Sequence, residues 1–93
     1  MVALITGASN GLGADFAKEL SKEGYDLILV ARSKDKLEKL AKELKTNVEI
    51  EVMDLSVKEN VYKLYNKYKG KVDLLINNAG FGTFGKFIDT DLD

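Results

Sequence analysis

Thr6-Gly7-Ala8-Ser9-Asn10-Gly11-Leu12-Gly13 joins an apolar run, Val2 to Ile5, to a segment with helical periodicity. Glycines at 7, 11 and 13 let the backbone turn tightly, approach a pyrophosphate with no Cβ between, and bring the following helix close to its strand. The N–H groups of the first helical turn then face an anion, aided by the positive end of the helix dipole. Glycine is common in any tight turn, so the context matters: a strand before and a helix after, as a dinucleotide-binding turn requires. The phosphate-binding loop of nucleotide triphosphatases is excluded, because neither Lys-Ser nor Lys-Thr follows Gly13.

The remainder of the chain repeats the alternation. Val2 to Thr6 reads as strand one. The first helix runs from about Leu12 to Glu23 with Leu12, Phe16, Ala17 and Leu20 on one face, and Gly24 ends it. Leu27 to Ala31 is a continuous apolar run, hence a strand buried on both faces. Ser33 is placed to cap a second helix whose core side carries Leu37, Leu40, Ala41 and Leu44, with a solvated lysine face opposite. Val48 to Met53 alternates with Glu49 and Glu51, as a half-exposed edge strand would. Ser56-Val57-Lys58-Glu59 has the spacing of a capping box for a third helix that buries Val57, Val61, Leu64, Tyr65 and Tyr68 and stops at Gly70. Val72 to Asn77 is strand four. Right-handed crossovers then give an α/β parallel sheet of order 3-2-1-4. Its order reverses at strand one, so a crevice opens at the carboxyl end of that strand, where the glycine turn sits.

Composition narrows the partners. The chain has 93 residues, enough for one domain at most, and a net charge of −1 from 14 basic and 15 acidic side chains. The basic residues are spread over helix faces, so no nucleic-acid footprint is expected. Cys and His are absent, which removes disulfides, thiolate metal sites and the usual general base. No apolar stretch approaches the ~20 residues that span a bilayer, and no signal-peptide pattern opens the chain, so no membrane partner and a cytoplasmic setting are expected.

The end of strand two is where a dinucleotide site distinguishes its cofactors. An Asp or Glu there would hold the 2′-hydroxyl of NAD. This strand ends Val30-Ala31-Arg32-Ser33, with no carboxylate, and Arg32 is the only arginine in the chain. A planar guanidinium suits a 2′-phosphate, which favours NADP over NAD; the alternative is an ordinary surface arginine near a helix start.

The pattern Thr6-Gly7-x-x-x-Gly11-x-Gly13 resembles the cofactor motif of the short-chain dehydrogenase/reductase family. Asp54-Leu55, just past strand three, is similar to the family's acidic position that bonds the adenine amino group. Asn77-Asn78-Ala79-Gly80 is similar to its Asn-Asn-Ala-Gly motif at the end of strand four. The resemblance implies a Rossmann-type fold and a hydride exchanged between NADP(H) and a small-molecule carbonyl or alcohol. It implies that Gly7, Ser9, Asn10, Gly11, Leu12 and Gly13 hold phosphates, Arg32 and Ser33 the 2′-phosphate, Asp54 and Leu55 the adenine, and Asn78, Ala79 and Gly80 the riboses. Thr6 is expected to tie strand one to strand four near Asn78.

The resemblance spans only the first half of the family's pattern. No Ser follows Ser56 and no Tyr follows Tyr68, so the family's catalytic Ser and Tyr-x-x-x-Lys are missing and no catalytic residue is assigned. Tyr65-x-x-x-Lys69 has the right spacing but precedes strand four, so Tyr65 reads as core and Lys69 as a helix-end cation. The chain is thus expected to be a truncated half of a doubly wound fold, inactive alone, with residues 81–93 a poorly packed tail. Phe81, Phe84 and Phe87 in that tail read as packing residues for a missing helix or as part of a substrate wall. An unpaired strand-four edge and a thinly covered sheet face would favour self-association. Two alternatives stay open: a non-catalytic nucleotide-binding or sensor module, and a fragment too incomplete to bind.

Overall fold

Parallel strands bury both faces, and the apolar residues of this chain divide accordingly into two clusters. The computed structural model describes residues 1–9 and 11–78. Its elements alternate as β1 (Val2–Thr6), α1 (Gly11–Lys22), β2 (Asp26–Ala31), α2 (Lys34–Lys42), β3 (Val48–Val52), α3 (Lys58–Tyr68) and β4 (Leu74–Asn77). The strands form one parallel sheet in the order β3-β2-β1-β4. Ile5 of β1 stands opposite Leu29 of β2 and Ile76 of β4, which fixes the register at the sheet centre.

Because successive side chains point to opposite faces, Ala3, Ile5, Leu27 and Leu29 pack with Ala17 and Leu20 of α1 and Leu37 and Leu40 of α2. Leu4, Ile28 and Val30 face the other way, onto Leu64 and Tyr68 of α3. Leu4, Ile5, Leu27, Ile28 and Leu29 are at most 2% exposed. Each such side chain contributes about 2 kcal/mol of hydrophobic stabilisation.

The element ends follow local chemistry. After α1, Gly24 takes φ 95, its N–H donates to the Ser21 carbonyl, and the Tyr25 N–H donates to that of Leu20. These are the paired bonds of a glycine-terminated helix. Ser33 caps α2, its hydroxyl accepting from the Lys36 N–H. Below β4, Asp73 clamps the start of β1: its carboxylate accepts from the Val2 N–H and its own N–H donates to the Val2 carbonyl, both at 2.8 Å. Among the described residues no helix is long and apolar enough to cross a membrane.

Several expectations are corrected. Leu12 and Phe16 do not face the core; they are 62% and 39% exposed, and α1 turns Gly13, Ala17, Leu20 and Ser21 inward instead. Small residues at 13 and 17 let the helix sit close to the sheet, which moves the bulkier pair to its flank. Val57 is exposed as well, and the capping box at Ser56 does not form: α3 starts from Val57 with no side-chain cap. Val72 precedes β4 and packs in the cluster under α3. On edge strand β3, Glu49 is exposed as expected, but Glu51 is drawn in. Its Oε2 accepts from the Tyr68 hydroxyl and, at 2.6 Å, from Lys67 Nζ. Burial, and then that bond to Glu51, hold the Tyr68 phenol well above its usual pKa.

Candidate functional site

At the carboxyl end of β1 the chain turns back on itself, and three backbone features make the turn. Gly7 adopts φ 63, a left-handed conformation that costs a residue with a Cβ about 1–2 kcal/mol. Ala8 is fully buried, and its N–H bridges to the Val30 carbonyl of β2 at 3.2 Å. Gly13 lies so close behind the turn that a Cβ there would fall 2.4 Å from the Gly7 carbonyl oxygen and 3.0 Å from Asn78 Nδ2. Gly11 differs, since a Cβ built on it meets nothing within 4 Å. One glycine is therefore required by the protein's own packing, while the other opens onto free space at the first turn of α1.

That first turn carries no acidic side chain, whereas α2 has Asp35 and α3 has Glu59 in theirs. The positive end of α1 is thus left without a carboxylate of its own and is suited to an external anion. Gly11 and Leu12 sit exposed on it.

The ends of β1 and β4 are tied to each other across the point where strand order reverses. The Thr6 hydroxyl, fully buried, donates to Asn77 Oδ1 at 2.9 Å, and Asn78 Nδ2 donates to the Gly7 carbonyl at 3.2 Å. The expected Thr6 tie to the end of β4 near Asn78 exists, through Asn77, and Asn78 holds the glycine turn itself.

Beyond the carboxyl ends of β1, β2 and β3 lies an open cleft of about 310 Å³. Of the residues singled out from the sequence, Gly7, Ser9, Arg32, Ser33, Asp54, Leu55 and Asn78 line it. Gly11, Leu12 and Gly13 are not part of its wall and stand in α1 beside it. Asn10, Ala79 and Gly80 fall outside the described residues, as do Phe81, Phe84 and Phe87.

The cleft also contains residues that the sequence did not mark, above all Lys36 and Met53. Lys36 counts as one more lysine of a solvated face until the start of α2 is seen to point into the cleft. Its place three residues after the Ser33 cap was the available signal, since that puts it in the first turn of α2, next to the carboxyl end of β2. Arg32 and Lys36 thus give one end of the cleft two cations. Asp54 supplies an anion at the neighbouring wall, its carboxyl held below the usual range by the Ser56 hydroxyl and N–H, with the nearby Arg32 charge acting in the same direction. Leu55 is buried, its side chain packed in the cluster under α3. Tyr65 and Lys69 lie elsewhere, Tyr65 packed half-buried against that same cluster and Lys69 at the end of α3.

The arrangement fits a dinucleotide: a cradle with no Cβ at Gly11, an uncompensated helix end, two cations at one end of the cleft and an acceptor nearby. Comparison with known proteins agrees. The short chain dehydrogenase family model matches residues 1–93. A very-long-chain 3-oxoacyl-CoA reductase of Kluyveromyces lactis is 41% identical over 84% of this chain, which corresponds to 25% of that protein. An oxidoreductase of Staphylococcus epidermidis is 34% identical over 99% of this chain and 41% of its own length. Among solved structures, a short-chain dehydrogenase from Sphingobium yanoikuyae in complex with NADPH matches with a TM-score of 0.74 and 35% identity, covering 88% of this chain and 34% of that one. The chain thus spans between a quarter and about two fifths of these relatives. Sheet order, glycine turn and family match concur, and the chain belongs to the short-chain dehydrogenase/reductase family.

Proposed function

We propose that this chain is the NADP-binding portion of a short-chain reductase, in which a hydride passes between NADP(H) and a carbonyl or alcohol. The observation that carries the cofactor choice is the cationic end of the cleft, with Arg32, Ser33 and Lys36 where an NAD site would present a carboxylate. The nicotinamide cofactor would supply the hydride chemistry. The residues of this chain bind and orient: Gly7, Ser9, Asn10, Gly11, Leu12 and Gly13 hold the phosphates, Arg32 and Ser33 the 2′-phosphate, Asp54 and the backbone of Leu55 the adenine, and Asn78, Ala79 and Gly80 the riboses. Ser33 serves twice, since a hydroxyl that accepts from the Lys36 N–H keeps its own proton to donate to a phosphate.

The substrate class rests on the relatives' names, a 3-oxoacyl-CoA reductase and a ketone-specific alcohol dehydrogenase of Comamonas testosteroni, the latter 33% identical with a TM-score of 0.75. The proton-transfer pair of the family would come from residues outside these 93, so the chain alone should turn over nothing.

Titration of the full-length protein with NADPH and NADH tests the cofactor choice. Arg32→Ala should weaken NADPH binding by about tenfold or more, the worth of a charge-assisted phosphate contact, and leave NADH unchanged. Equal losses for both cofactors, or a wild-type protein that prefers NADH, would contradict it.

A further inference from the structure

Ser56 has the sequence position of a helix cap, yet its hydroxyl goes elsewhere. Both Ser56 donors converge on one oxygen of Asp54, the N–H at 2.9 Å and the Oγ–H at 2.7 Å from Oδ1. The Asp54 carbonyl is held from the same side, accepting from Asn60 Nδ2 at 2.9 Å and from the Val57 N–H at 3.2 Å. Helix α3 meanwhile begins at Val57 with no side-chain cap. Two side chains at its start are thus committed to one cleft residue.

We propose that Ser56, backed by Asn60, is a positioning residue that fixes the Asp54 carboxylate in the cleft for an exocyclic amine of the bound base. The proposal rests on the cofactor reading above. With both Ser56 donors on Oδ1, the lone pairs of Oδ2 remain for a donor arriving in the cleft; no other hydrogen bond reaches this carboxylate among the described residues. The Ser56 bonds, and to a lesser degree Arg32, favour the ionised form, so at neutral pH Asp54 only accepts. An acceptor-only group held in one orientation rewards an amine and repels a carbonyl oxygen at the same place.

The test compares NADPH with nicotinamide hypoxanthine dinucleotide phosphate, which carries a carbonyl oxygen where adenine has its amine. Both are titrated by calorimetry at neutral pH into the full-length protein as wild type, Ser56→Ala and Ser56→Thr. Wild type should favour NADPH by about tenfold or more. Ser56→Ala should weaken NADPH about fivefold while affinity for the hypoxanthine analogue holds or rises, and Ser56→Thr, which keeps the hydroxyl, should restore the difference. If Ser56→Ala does not fold, Ser56→Cys keeps the size and weakens the donor, and the same narrowing is expected. Equal losses for the two ligands or an unchanged ratio would overturn the proposal and leave the cofactor reading standing; a wild type indifferent to the base would overturn the proposal together with the Asp54–adenine contact, and leave the phosphate contacts of that reading standing. A wild type that binds neither ligand would overturn both.

Discussion

Gly11 and Gly13, two residues apart in sequence, have opposite consequences. A methyl group at Gly13 has nowhere to go, because its neighbours at 2.4 and 3.0 Å include backbone atoms of the turn. Gly13→Ala should therefore destabilise the fold by about 1–3 kcal/mol in urea denaturation, through forced separation of α1 from the turn. Gly11→Ala meets open space, so its denaturation midpoint should hold or rise slightly, while NADPH affinity falls because the new Cβ occupies the anion's approach. Similar losses of stability in both variants would contradict this division. The glycines, Arg32, Asp54 and Asn78 were legible in the sequence because each answers a backbone or charge requirement set at a strand end. Lys36 was not, because a lysine on a lysine-rich helix is marked only by where the helix start points.

Among the described residues, the order and type of the strands and helices could be read from hydrophobic periodicity, while orientations about the helix axes could not always be. For α1, the pattern Leu12, Phe16, Ala17, Leu20 admits a face shifted by one residue, and the close approach of Gly13 to Gly7 selects Gly13, Ala17, Leu20 and Ser21. For α3, a serine three residues before a glutamate reads as a capping box, but Asp54 two residues upstream competes for the same hydroxyl and wins. That leaves a correctable defect. Val57 occupies the N-cap with extended backbone, no capping bond and 45% exposure, so replacing it removes little packing. Val57→Asp or Val57→Ser should stabilise the protein by about 1 kcal/mol, seen as a higher thermal midpoint with unchanged cofactor affinity. A lower midpoint would mean that Val57 packs more than its exposure implies.

For the molecule as a whole, the sheet places chemistry and stability at different positions along the same strands. The middles of β1 and β2 are buried between α1 and α2 on one face and α3 on the other, and this two-sided burial holds the fold together. The glycine turn follows the carboxyl end of β1, Arg32 and then Lys36 of α2 follow that of β2, and Asp54 follows that of β3, where the reversal of strand order keeps helices from closing over them. That such a crevice would exist followed from the order 3-2-1-4; how its walls are tied, through Thr6 to Asn77 and Asn78 to Gly7, needed the three-dimensional arrangement. The proposed NADP site has its adenine end in the crevice between β2 and β3, and a crystal structure of the protein grown with NADP would show whether the cofactor lies there. The pyrophosphate is expected over Gly11, the 2′-phosphate at Arg32 and Ser33, and the adenine beside Asp54. A dinucleotide bound elsewhere, or one whose adenine end points toward β4, would contradict that placement.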